Sequence, residues 1–516
     1  MPNWLKKAIF YEIYPQSFCD SNGDGIGDLQ GIISKLDYVK EIGFNAIWLN
    51  PCYLSPFKDA GYDVQDYYKV APRYGTNEDL YRLFDEAHKR GVRVILDLVP
   101  GHTSDECEWF KQSRLTVRNQ YSDRYIWTDC VWNRPPNYPL VAGNADRDGC
   151  YMLNFFLCQP ALNYGFNKIT HPEWQLSYED DRVRATFDEM LKVMRFWLDK
   201  GCDGFRVDMA DSLVKNDEDK TATASLWRKA RIMLDKDYPE AVLVSEWCNA
   251  PKAINEAGFH CDFVLTHHGK LTRNATRNVV NGVNESYFCK TSHATADETL
   301  KTYLNELKQT EGRGYMSLIS GNHDEIRLSE TLDENGVKLY FTMLLTLPGV
   351  PFVYYGDEIG MRYLPQISKE GGFQRTGSRT PMQWDSGAPN TGFSSARRED
   401  LYLDVDRRAD APCVNEQIAD SSSILNVVKT LSKIRTDNAA LQADQSLSVI
   451  HCSADGVLCY TRGKEVAVAF NPTDGEKTLP CEMGEVIFKI GDYLTQGSNV
   501  LLKPQTAVIF KLKQEI

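Results

Sequence analysis

The sequence predicts an α/β fold, a (β/α)8 TIM barrel with an inserted subdomain after the third strand and a C-terminal antiparallel β domain. From residue 8 to about residue 438, short apolar runs alternate with segments of helical periodicity, the pattern of a parallel sheet covered by helices. The connection at roughly residues 101–175 is too long and irregular for a simple loop in a compact domain. Beyond residue 440, short alternating strands separated by turns indicate an antiparallel β domain.

Eight runs are predicted to be the barrel strands, because each is short and rich in apolar residues. They are residues 8–14, 46–50, 92–99, 204–209, 241–246, 262–265, 315–319 and 351–355. Helices are predicted at 33–42, 78–90, 185–200, 225–235, 298–309, 337–347 and 422–435. Gly43, Gly91 and Gly201 stand where helices should end, since glycine readily adopts the left-handed cap. Eight strands with intervening helices favour a closed barrel over an open sheet.

The changes of pattern along the chain predict three regions. The barrel comprises residues 1–100 and 176–438, the inserted domain residues 101–175, and a C-terminal β-sandwich residues 439–516. A second irregular stretch, at about 361–421, follows the eighth strand.

Composition excludes some classes of protein. The net charge of -13 argues against nucleic acid, which needs a dense basic footprint. No run approaches about 18 apolar residues, so we predict no membrane span, and the start of the chain has no secretory signal pattern. The 14 scattered cysteines favour free thiols in a reducing compartment, with a disulfide framework in an exported protein as the alternative. We therefore expect a cytoplasmic protein, a monomer or a weak homo-oligomer.

Three acidic side chains follow predicted strands: Asp208, Glu246 and Asp324. A carboxylate just past a barrel strand sits at the mouth of the barrel, where such folds keep their reacting groups. Two carboxyls facing each other across a sugar are the minimum equipment for splitting a glycosidic bond. A third can hold the sugar ring through its hydroxyls. The sequence therefore predicts a carbohydrate-active enzyme.

Four ordered motifs resemble glycoside hydrolase family 13, the α-amylase family. They are Asp-Leu-Val-Pro-Gly-His at 97–102, Gly-Phe-Arg-Val-Asp at 204–208, Glu246, and Asn-His-Asp at 322–324. Further segments resemble the oligo-1,6-glucosidase and α-glucosidase branch, with trehalose synthases close by: residues 11–18, 61–64, 102–105 and 379–384. The resemblance implies a barrel, a protruding domain after the third strand and retention of anomeric configuration.

The resemblance assigns catalytic roles to the three acids. Asp208 corresponds to the nucleophile, and Arg206, two residues earlier on the same side of the strand, should keep it ionised. Glu246 corresponds to the general acid/base, whose surroundings should raise its pKa. Asp324 corresponds to the carboxylate that binds ring hydroxyls. Retention predicts that the carboxyls of Asp208 and Glu246 lie about 5–5.5 Å apart.

Other motif residues are expected to bind the sugar. His102 and His323 resemble the two histidines that donate to hydroxyls of the sugar being cleaved, and Tyr62 is expected to stack on that sugar. Asp97 is expected to orient Arg206.

Two assignments stay open at this point. Trp247 could desolvate Glu246 or form the platform for a second sugar. Arg327 is either part of the pocket wall or a member of a surface salt bridge.

Asp63 and Arg379 bear on the mode of attack. In the branch that the chain resembles, such a pair closes the site behind the non-reducing terminal glucose. The expected result is a pocket that removes one unit at a time.

One loop has the composition of a metal site. Oxygen donors alternate with glycines, and hard oxygen ligands suit Ca²⁺ or Mg²⁺. The twelfth position is Gly31 rather than glutamate and a strand precedes the loop, which argues against an EF-hand; an Asx-rich turn is the alternative. The resembled branch carries a structural ion here, and no organic cofactor is expected. The candidate ligands are Asp20, Asn22, Asp24, Ile26 through its carbonyl, and Asp28.

Three positions depart from the family pattern. Gly101 replaces an asparagine that serves the second calcium site of some amylases, so we do not predict that site. Ala161 replaces an acidic residue in the inserted domain. Met209 follows the nucleophile, where a small residue goes with α-1,4 linkages and valine with α-1,6. The linkage preference therefore stays open.

These observations favour an exo-acting α-glucosidase for short malto-oligosaccharides, with α-1,4 linkages favoured and α-1,6 linkages left open. The alternative is a transglycosylase or isomerase on the same scaffold, such as a trehalose synthase or 4-α-glucanotransferase. A non-catalytic interaction protein is the remote alternative, because the full catalytic set is present.

Overall fold

The computed structural model describes residues 1–366 and 373–512. Its largest sheet consists of eight parallel strands, each a short run of mostly buried residues. They are β1 (Phe10–Ile13), β2 (Ala46–Leu49), β3 (Arg93–Leu98), β4 (Gly204–Val207), β5 (Val242–Ser245), β6 (Cys261–Val264), β7 (Tyr315–Leu318) and β8 (Phe352–Tyr354). All eight lie within the predicted strand ranges or at their edges.

The sheet closes into a barrel. Successive strands are neighbours, β1 also pairs with β8, and a parallel bridge between Ile319 and Phe352 joins the two ends of the sheet. In the β3–β4 register Asp97 lies opposite Arg206. The predicted fold class is therefore confirmed, and the carboxyl ends of all eight strands meet at one rim.

The described residues form twelve α-helices, most of which surround the barrel. They are α1 (Pro15–Phe18), α2 (Leu29–Ser34), α3 (Leu36–Glu41), α4 (Asn77–Lys89), α5 (Glu108–Ser113), α6 (Asp181–Leu198), α7 (Thr221–Asp237), α8 (Leu271–Thr276), α9 (Ala296–Thr310), α10 (Glu334–Thr346), α11 (Val414–Ala419) and α12 (Ile424–Asp437). A π-helical segment, Pro251–Ala257, follows β5.

The predicted helices are present, but their bounds differ from the structure by one to four residues, and the differences at two of them are instructive. The single helix predicted at 33–42 is two short helices that meet at Lys35. The first begins four residues earlier than predicted because the Asp28 side chain caps it, accepting from Gly31 N. The helix predicted at 225–235 begins at Thr221.

Aromatic side chains fill the barrel interior. The rings of Phe10 and Phe352 stack with centroids 4.3 Å apart, and Trp48 lies 5.4 Å from Phe263. Trp48 Nε1 also donates to Asp97 Oδ2 at 3.1 Å. The barrel is thus a packed core whose top layer is bonded to the acidic rim.

The connection between β3 and β4 is irregular, as predicted. It contains α5, a two-stranded antiparallel sheet (Leu140–Ala142 with Cys150–Met152) and a small apolar cluster that includes Ile126, Phe166 and Trp174. A bridge between His102 and Ala161 ties it back to the barrel rim. The domain boundaries proposed from the sequence remain predictions.

The C-terminal region is antiparallel. Its strands are β9 (Leu447–Cys452), β10 (Leu458–Arg462), β11 (Val466–Asn471), β12 (Lys477–Leu479), β13 (Val486–Ile490), β14 (Tyr493–Gln496), β15 (Asn499–Leu502) and β16 (Thr506–Lys511). They form a five-stranded sheet in the order β9-β10-β11-β16-β13 and a three-stranded sheet in the order β12-β15-β14. One apolar cluster contains residues of both sheets, as a sandwich requires.

Among the described residues, no helix has the length and apolar character needed to cross a bilayer. All 14 cysteines lie in the described ranges, and each is a free thiol.

Candidate active site

A single buried guanidinium organises the acidic rim. Arg206 is 1% exposed, and its Nη1 donates to Asp97 Oδ1 at 2.9 Å and to Asp208 Oδ1 at 3.0 Å. Its Nη2 lies 2.8 Å from Glu246 Oε2. The expected contacts of Arg206 with Asp97 and Asp208 are therefore present, and Glu246 shares the same cation.

Strand geometry brings these groups together. Arg206 is in β4, and Asp208 and Glu246 follow the ends of β4 and β5 directly. Asp208 N donates to Leu98 O at 2.9 Å, so the barrel ladder extends up to this residue. The chain then turns through the left-handed region at Met209 (φ 41°), whose N–H donates to Glu246 Oε2 at 3.0 Å. Such backbone strain is found mainly at functional sites.

Burial controls the protonation of this cluster. It raises the pKa of Asp208 and of Glu246 to about 7 each, and that of Asp97 to about 6, although Arg206 opposes all three shifts. For Glu246 the raised pKa agrees with the sequence prediction. The expectation that Arg206 keeps Asp208 ionised is wrong, because burial raises the pKa of Asp208 by more than Arg206 lowers it. One guanidinium cannot balance three dehydrated carboxylates. The raised pKa values of both acids favour one proton shared between Asp208 and Glu246 near neutral pH.

Asp324 lies in a different electrostatic environment. Its Oδ1 accepts from Arg375 Nη1 and from Arg379 Nη2, both at 2.8 Å. Burial alone would raise the pKa of Asp324, but the His323 imidazole and the two guanidinium groups outweigh burial and hold that pKa below its ordinary value. Asp324 is therefore ionised at neutral pH.

The predicted pairing of Asp63 with Arg379 is wrong. Asp63 is fully buried and accepts from Ser55 Oγ at 3.0 Å and from the backbone N–H groups of Lys58 and Asp59 at 2.9 Å each. Its carboxylate is thus used to stabilise its own loop, as Asx side chains commonly do.

Asp59 and Arg375 are the pair that sequence reasoning missed. Arg375 Nη2 donates to Asp59 Oδ1 at 2.8 Å while its Nη1 binds Asp324. Asp59 lies four residues before Asp63, so an acidic residue in this loop was visible, but the choice between the two depends on how the turn folds. No local pattern in the sequence pointed to Arg375.

His102 is held by two neighbours. Its Nε2 lies 3.1 Å from Tyr62 O, which can only accept, and Asn154 Nδ2 lies 3.1 Å from its Nδ1. Burial lowers the pKa of His102 to about 4, so the ring is neutral with its proton on Nε2. A Cβ at position 101 would lie 2.7 Å from Asn154 Nδ2. Gly101, the departure from the family pattern, therefore makes room for Asn154.

His323 and Tyr62 form part of a buried stack. The Tyr62 ring lies 5.1 Å from the His323 ring at 12°, and Tyr14 lies 6.1 Å from the same imidazole at 5°. Tyr62 OH donates to Asp97 Oδ2 at 2.9 Å, which links the stack to the Arg206 cluster. Stacking of Tyr62 on a sugar remains a prediction.

Arg327 is not part of a surface salt bridge, and its place in the pocket wall stays a prediction. It is buried rather than on the surface, and its guanidinium binds Asp357 Oδ1 at 3.0 Å and Ser378 O at 2.8 Å. It also lies over the Tyr354 ring at 4.3 Å. Arg327 thus joins the segments after β7 and β8.

Trp247 lies half-buried beside Glu246. Its backbone N–H donates to Asp262 Oδ1 at 3.1 Å, and its ring meets Phe259 edge-to-face with centroids 6.3 Å apart. Both roles considered for it stay open.

In the candidate metal loop, side-chain oxygens bind the loop's own backbone. Asp20 Oδ1 accepts from Gly23 N at 2.7 Å, Asp24 Oδ1 from Ile26 N at 2.9 Å, and Asp28 Oδ1 from Gly31 N at 2.7 Å. In the part of the chain that the structure describes, no three His, Cys, Asp or Glu side chains cluster as metal ligands would. The oxygen donors suit a hard cation, but their present geometry is that of consecutive Asx turns.

The fold and the rim of carboxyls around Arg206 define a glycoside-cleaving enzyme. Comparison with known proteins agrees: residues 12–444 match the family model for the alpha amylase catalytic domain. The chain therefore belongs to the alpha-amylase family, glycoside hydrolase family 13, and is a glycoside hydrolase by class.

Curated relatives cover most of the chain. It is 34% identical to the trehalose synthase/amylase TreS of Mycolicibacterium smegmatis, over 89% of this chain and 80% of that protein. It is 31% identical to the oligo-1,6-glucosidase of Heyndrickxia coagulans over the full length of both.

Solved structures agree in fold. The trehalulose synthase MutB from Pseudomonas mesoacidophila MX-45 superposes with a TM-score of 0.82 at 27% identity, over 99% of this chain and 100% of that one. An isomaltulose synthase variant from Erwinia rhapontici NX5 in complex with D-glucose gives a TM-score of 0.83 at 27% identity over the same shares.

The shared proton predicts a bell-shaped pH dependence of kcat/KM with its maximum near the pKa values of about 7. Below the maximum, a second proton neutralises Asp208. Above it, the proton on Glu246 is lost. With an aryl α-glucoside whose leaving group departs without acid help, Glu246→Gln should lose the alkaline limb only. Persistence of that limb in Glu246→Gln would exclude Glu246 as its source.

Proposed function

We propose that this enzyme is a retaining α-glucoside hydrolase that removes glucose from the non-reducing end of short malto-oligosaccharides. We favour α-1,4 linkages and leave α-1,6 linkages open. The observation that carries the proposal is the placement of Asp208 and Glu246 on two nitrogens of one guanidinium. The raised pKa values of both acids favour a single shared proton near neutral pH. Retention requires this combination of one ionised and one protonated carboxyl in close proximity.

The chemistry follows from that arrangement. Asp208 attacks the anomeric carbon while Glu246 gives its proton to the glycosidic oxygen, which leaves with the rest of the oligosaccharide. Glu246, now ionised, takes a proton from water, and the water oxygen displaces Asp208 from the sugar. Arg206 remains bound to both carboxyls, so the negative charge that moves between them stays paired.

The anionic Asp324 supports binding of the terminal sugar. With Arg375, Arg379 and Asp59 it forms a chain of ion pairs. Charged groups with fixed positions suit the hydroxyls of a neutral sugar, and such a wall behind the terminal unit favours exo attack. In this proposal Asp59 and Arg375 form the ion pair first expected of Asp63 and Arg379, while Arg379 stays in the wall through Asp324.

A second candidate is an isomerase of disaccharides on the same scaffold. It is favoured by the names of the relatives, which include a trehalose synthase and a trehalulose synthase. Both candidates share the glucosyl-enzyme intermediate and differ in whether water or a sugar hydroxyl reaches it. Met209 bears on whether water or a sugar hydroxyl reaches the intermediate, because it directly follows the nucleophile. Its sulfur lies 3.8 Å from Asn154 Nδ2.

The test is a product profile on maltose, maltotriose, isomaltose, sucrose and trehalose, read by chromatography. Hydrolysis predicts free glucose from maltose and maltotriose as the main product. Trehalose from maltose, or isomaltulose or trehalulose from sucrose, with little free glucose would favour the isomerase instead. No reaction on the whole panel would contradict both.

Asp208→Asn is the matched control for this panel. It should keep the fold and the thermal midpoint but lose turnover by a factor on the order of 10³ or more, since the nucleophile is gone. Asp63→Asn, at an equally buried acid that serves only its own loop, should keep turnover within about tenfold at temperatures where it is folded. Undiminished turnover in Asp208→Asn would refute the assignment of the nucleophile.

We also propose that the loop at 20–28 binds one Ca²⁺, with Mg²⁺ as the alternative ion. Support comes from its oxygen-only donors and from Gly23 and Gly25, whose positive φ values of 79° and 89° let the loop wrap tightly. Binding requires the carboxylates to turn from backbone N–H groups toward the ion. We keep a cytoplasmic location and a monomeric or weakly associated state as proposals.

Calcium binding predicts a chelator-sensitive thermal midpoint. At a calcium concentration about 100 times Kd, the ion should stabilise the fold by about 2.7 kcal/mol. Asp24→Ala should abolish the difference between calcium and chelator, whereas Asp181→Ala, at an exposed acid of α6, should preserve it. Identical midpoints with calcium and chelator in the unmodified protein would identify the loop as a self-sufficient Asx turn.

A further inference from the structure

Glu12 is a buried acid that the proposed chemistry does not use. It lies in β1 with 1% of its surface exposed, and its Oε1 is 2.8 Å from Nδ1 of His323, which is equally buried. The opposite nitrogen of the imidazole, Nε2, lies 3.3 Å from Asp324 Oδ2. His323 thus stands between two carboxyl groups, one at the rim and one inside the barrel.

The position of the proton on Nε2 follows from Asp324. Arg375 and Arg379 keep that carboxylate ionised, so it can only accept a hydrogen bond. An unprotonated Nε2 would place its lone pair 3.3 Å from this anion. Nε2 therefore carries a proton.

The position of the second proton follows from the other side of the ring. Asn50 Nδ2 lies 3.2 Å from each of Nδ1, Glu12 Oε1 and Tyr62 OH, so its two hydrogens are compatible with Nδ1 as an acceptor, and a neutral ring with its proton on Nε2 requires that role. Glu12 Oε1 faces the same nitrogen, so a proton is needed between them. If Nδ1 accepts, that proton belongs to Glu12.

We propose that Glu12 is a positioning residue that donates its proton to Nδ1 and thereby holds His323 as a neutral ring with its proton on Nε2, aimed at the rim. This inference rests on the proposed function, because the use of that N–H is to bind a hydroxyl of the terminal sugar beside Asp324. The stacked rings of Tyr14 and Tyr62 fix the plane of the imidazole, and Glu12 fixes its tautomer.

Two further observations support a neutral Glu12. Its Oε2 is buried and has no hydrogen-bond partner, a position tolerable for a carbonyl oxygen but costly for a carboxylate oxygen. Burial also raises the pKa of Glu12 well above its ordinary value and lowers that of His323 well below. The alternative, a carboxylate against an imidazolium, has the same number of protons but places two buried charges side by side.

The proposal is tested first by spectroscopy at neutral pH. The infrared difference spectrum between the unmodified protein and Glu12→Gln should contain the carbonyl stretch of an un-ionised carboxylic acid. In protein labelled with ¹⁵N-histidine, the His323 signals, assigned by their loss in His323→Ala, should show a protonated Nε2 and an unprotonated Nδ1. A carboxylate band for Glu12, or two protonated nitrogens on His323, would overturn the proposal.

Two variants then distinguish the hydrogen-bond donor at position 12 from the volume of its side chain. Gln at position 12 can still donate to Nδ1, so Glu12→Gln should keep kcat/KM within about threefold. Glu12→Leu fills the space without a donor and should lower kcat/KM about tenfold or more and change the ¹⁵N shift of Nδ1. Equal losses in the two variants would contradict the proposal.

Glu358 provides the matched control. It is an equally buried acid, bound by Tyr11 OH at 2.6 Å and Tyr38 OH at 2.8 Å, away from His323. Glu358→Leu should lower the thermal midpoint while leaving the His323 nitrogen shifts unchanged. Because the infrared and ¹⁵N readouts need no turnover, they decide the role of Glu12 even if the enzyme cleaves none of the α-glucosides tested.

Discussion

The site depends on one interaction, the binding of three carboxyl groups by the buried guanidinium of Arg206. A planar group with several fixed N–H donors can bind acids on different sides, which a lysine ammonium at the end of a flexible stem cannot do with the same geometry. Because the cation is outnumbered in a dry environment, one proton stays in the cluster. That proton is the one the proposed reaction consumes and restores.

The barrel supplies the rigidity that this arrangement requires. Trp48 connects the aromatic filling of the barrel to Asp97, and Asp97 in turn binds Tyr62 as well as Arg206. The stack of Tyr62 on His323 carries the same network to Asp324. A side chain at this rim is therefore positioned by neighbours from several strands, not by its own strand alone.

Sequence reasoning predicted the positions of side chains that follow from local strand geometry. Asp208, Glu246 and Arg206 were predictable because strand ends and alternation place them on one rim, and the register that sets Asp97 opposite Arg206 is a property of neighbouring parallel strands. It failed where contacts join remote loops: Asp59 and Arg375 are 316 positions apart. It also misjudged Asp208, since a sequence shows that Arg206 is near but not how completely both groups lose water. The sequence likewise did not show that Asp63 is buried and binds the backbone of its own loop.

The charge balance around Arg206 is tested most directly by Asp97→Asn, which removes one carboxylate without changing the shape of the side chain. With one anion fewer, Arg206 should stabilise the ionised forms of Asp208 and Glu246 more strongly. The measurement is the pH dependence of kcat/KM for the variant and for the unmodified enzyme. We predict that both limbs move to lower pH in the variant; limbs that stay in place, or move to higher pH, would contradict the account.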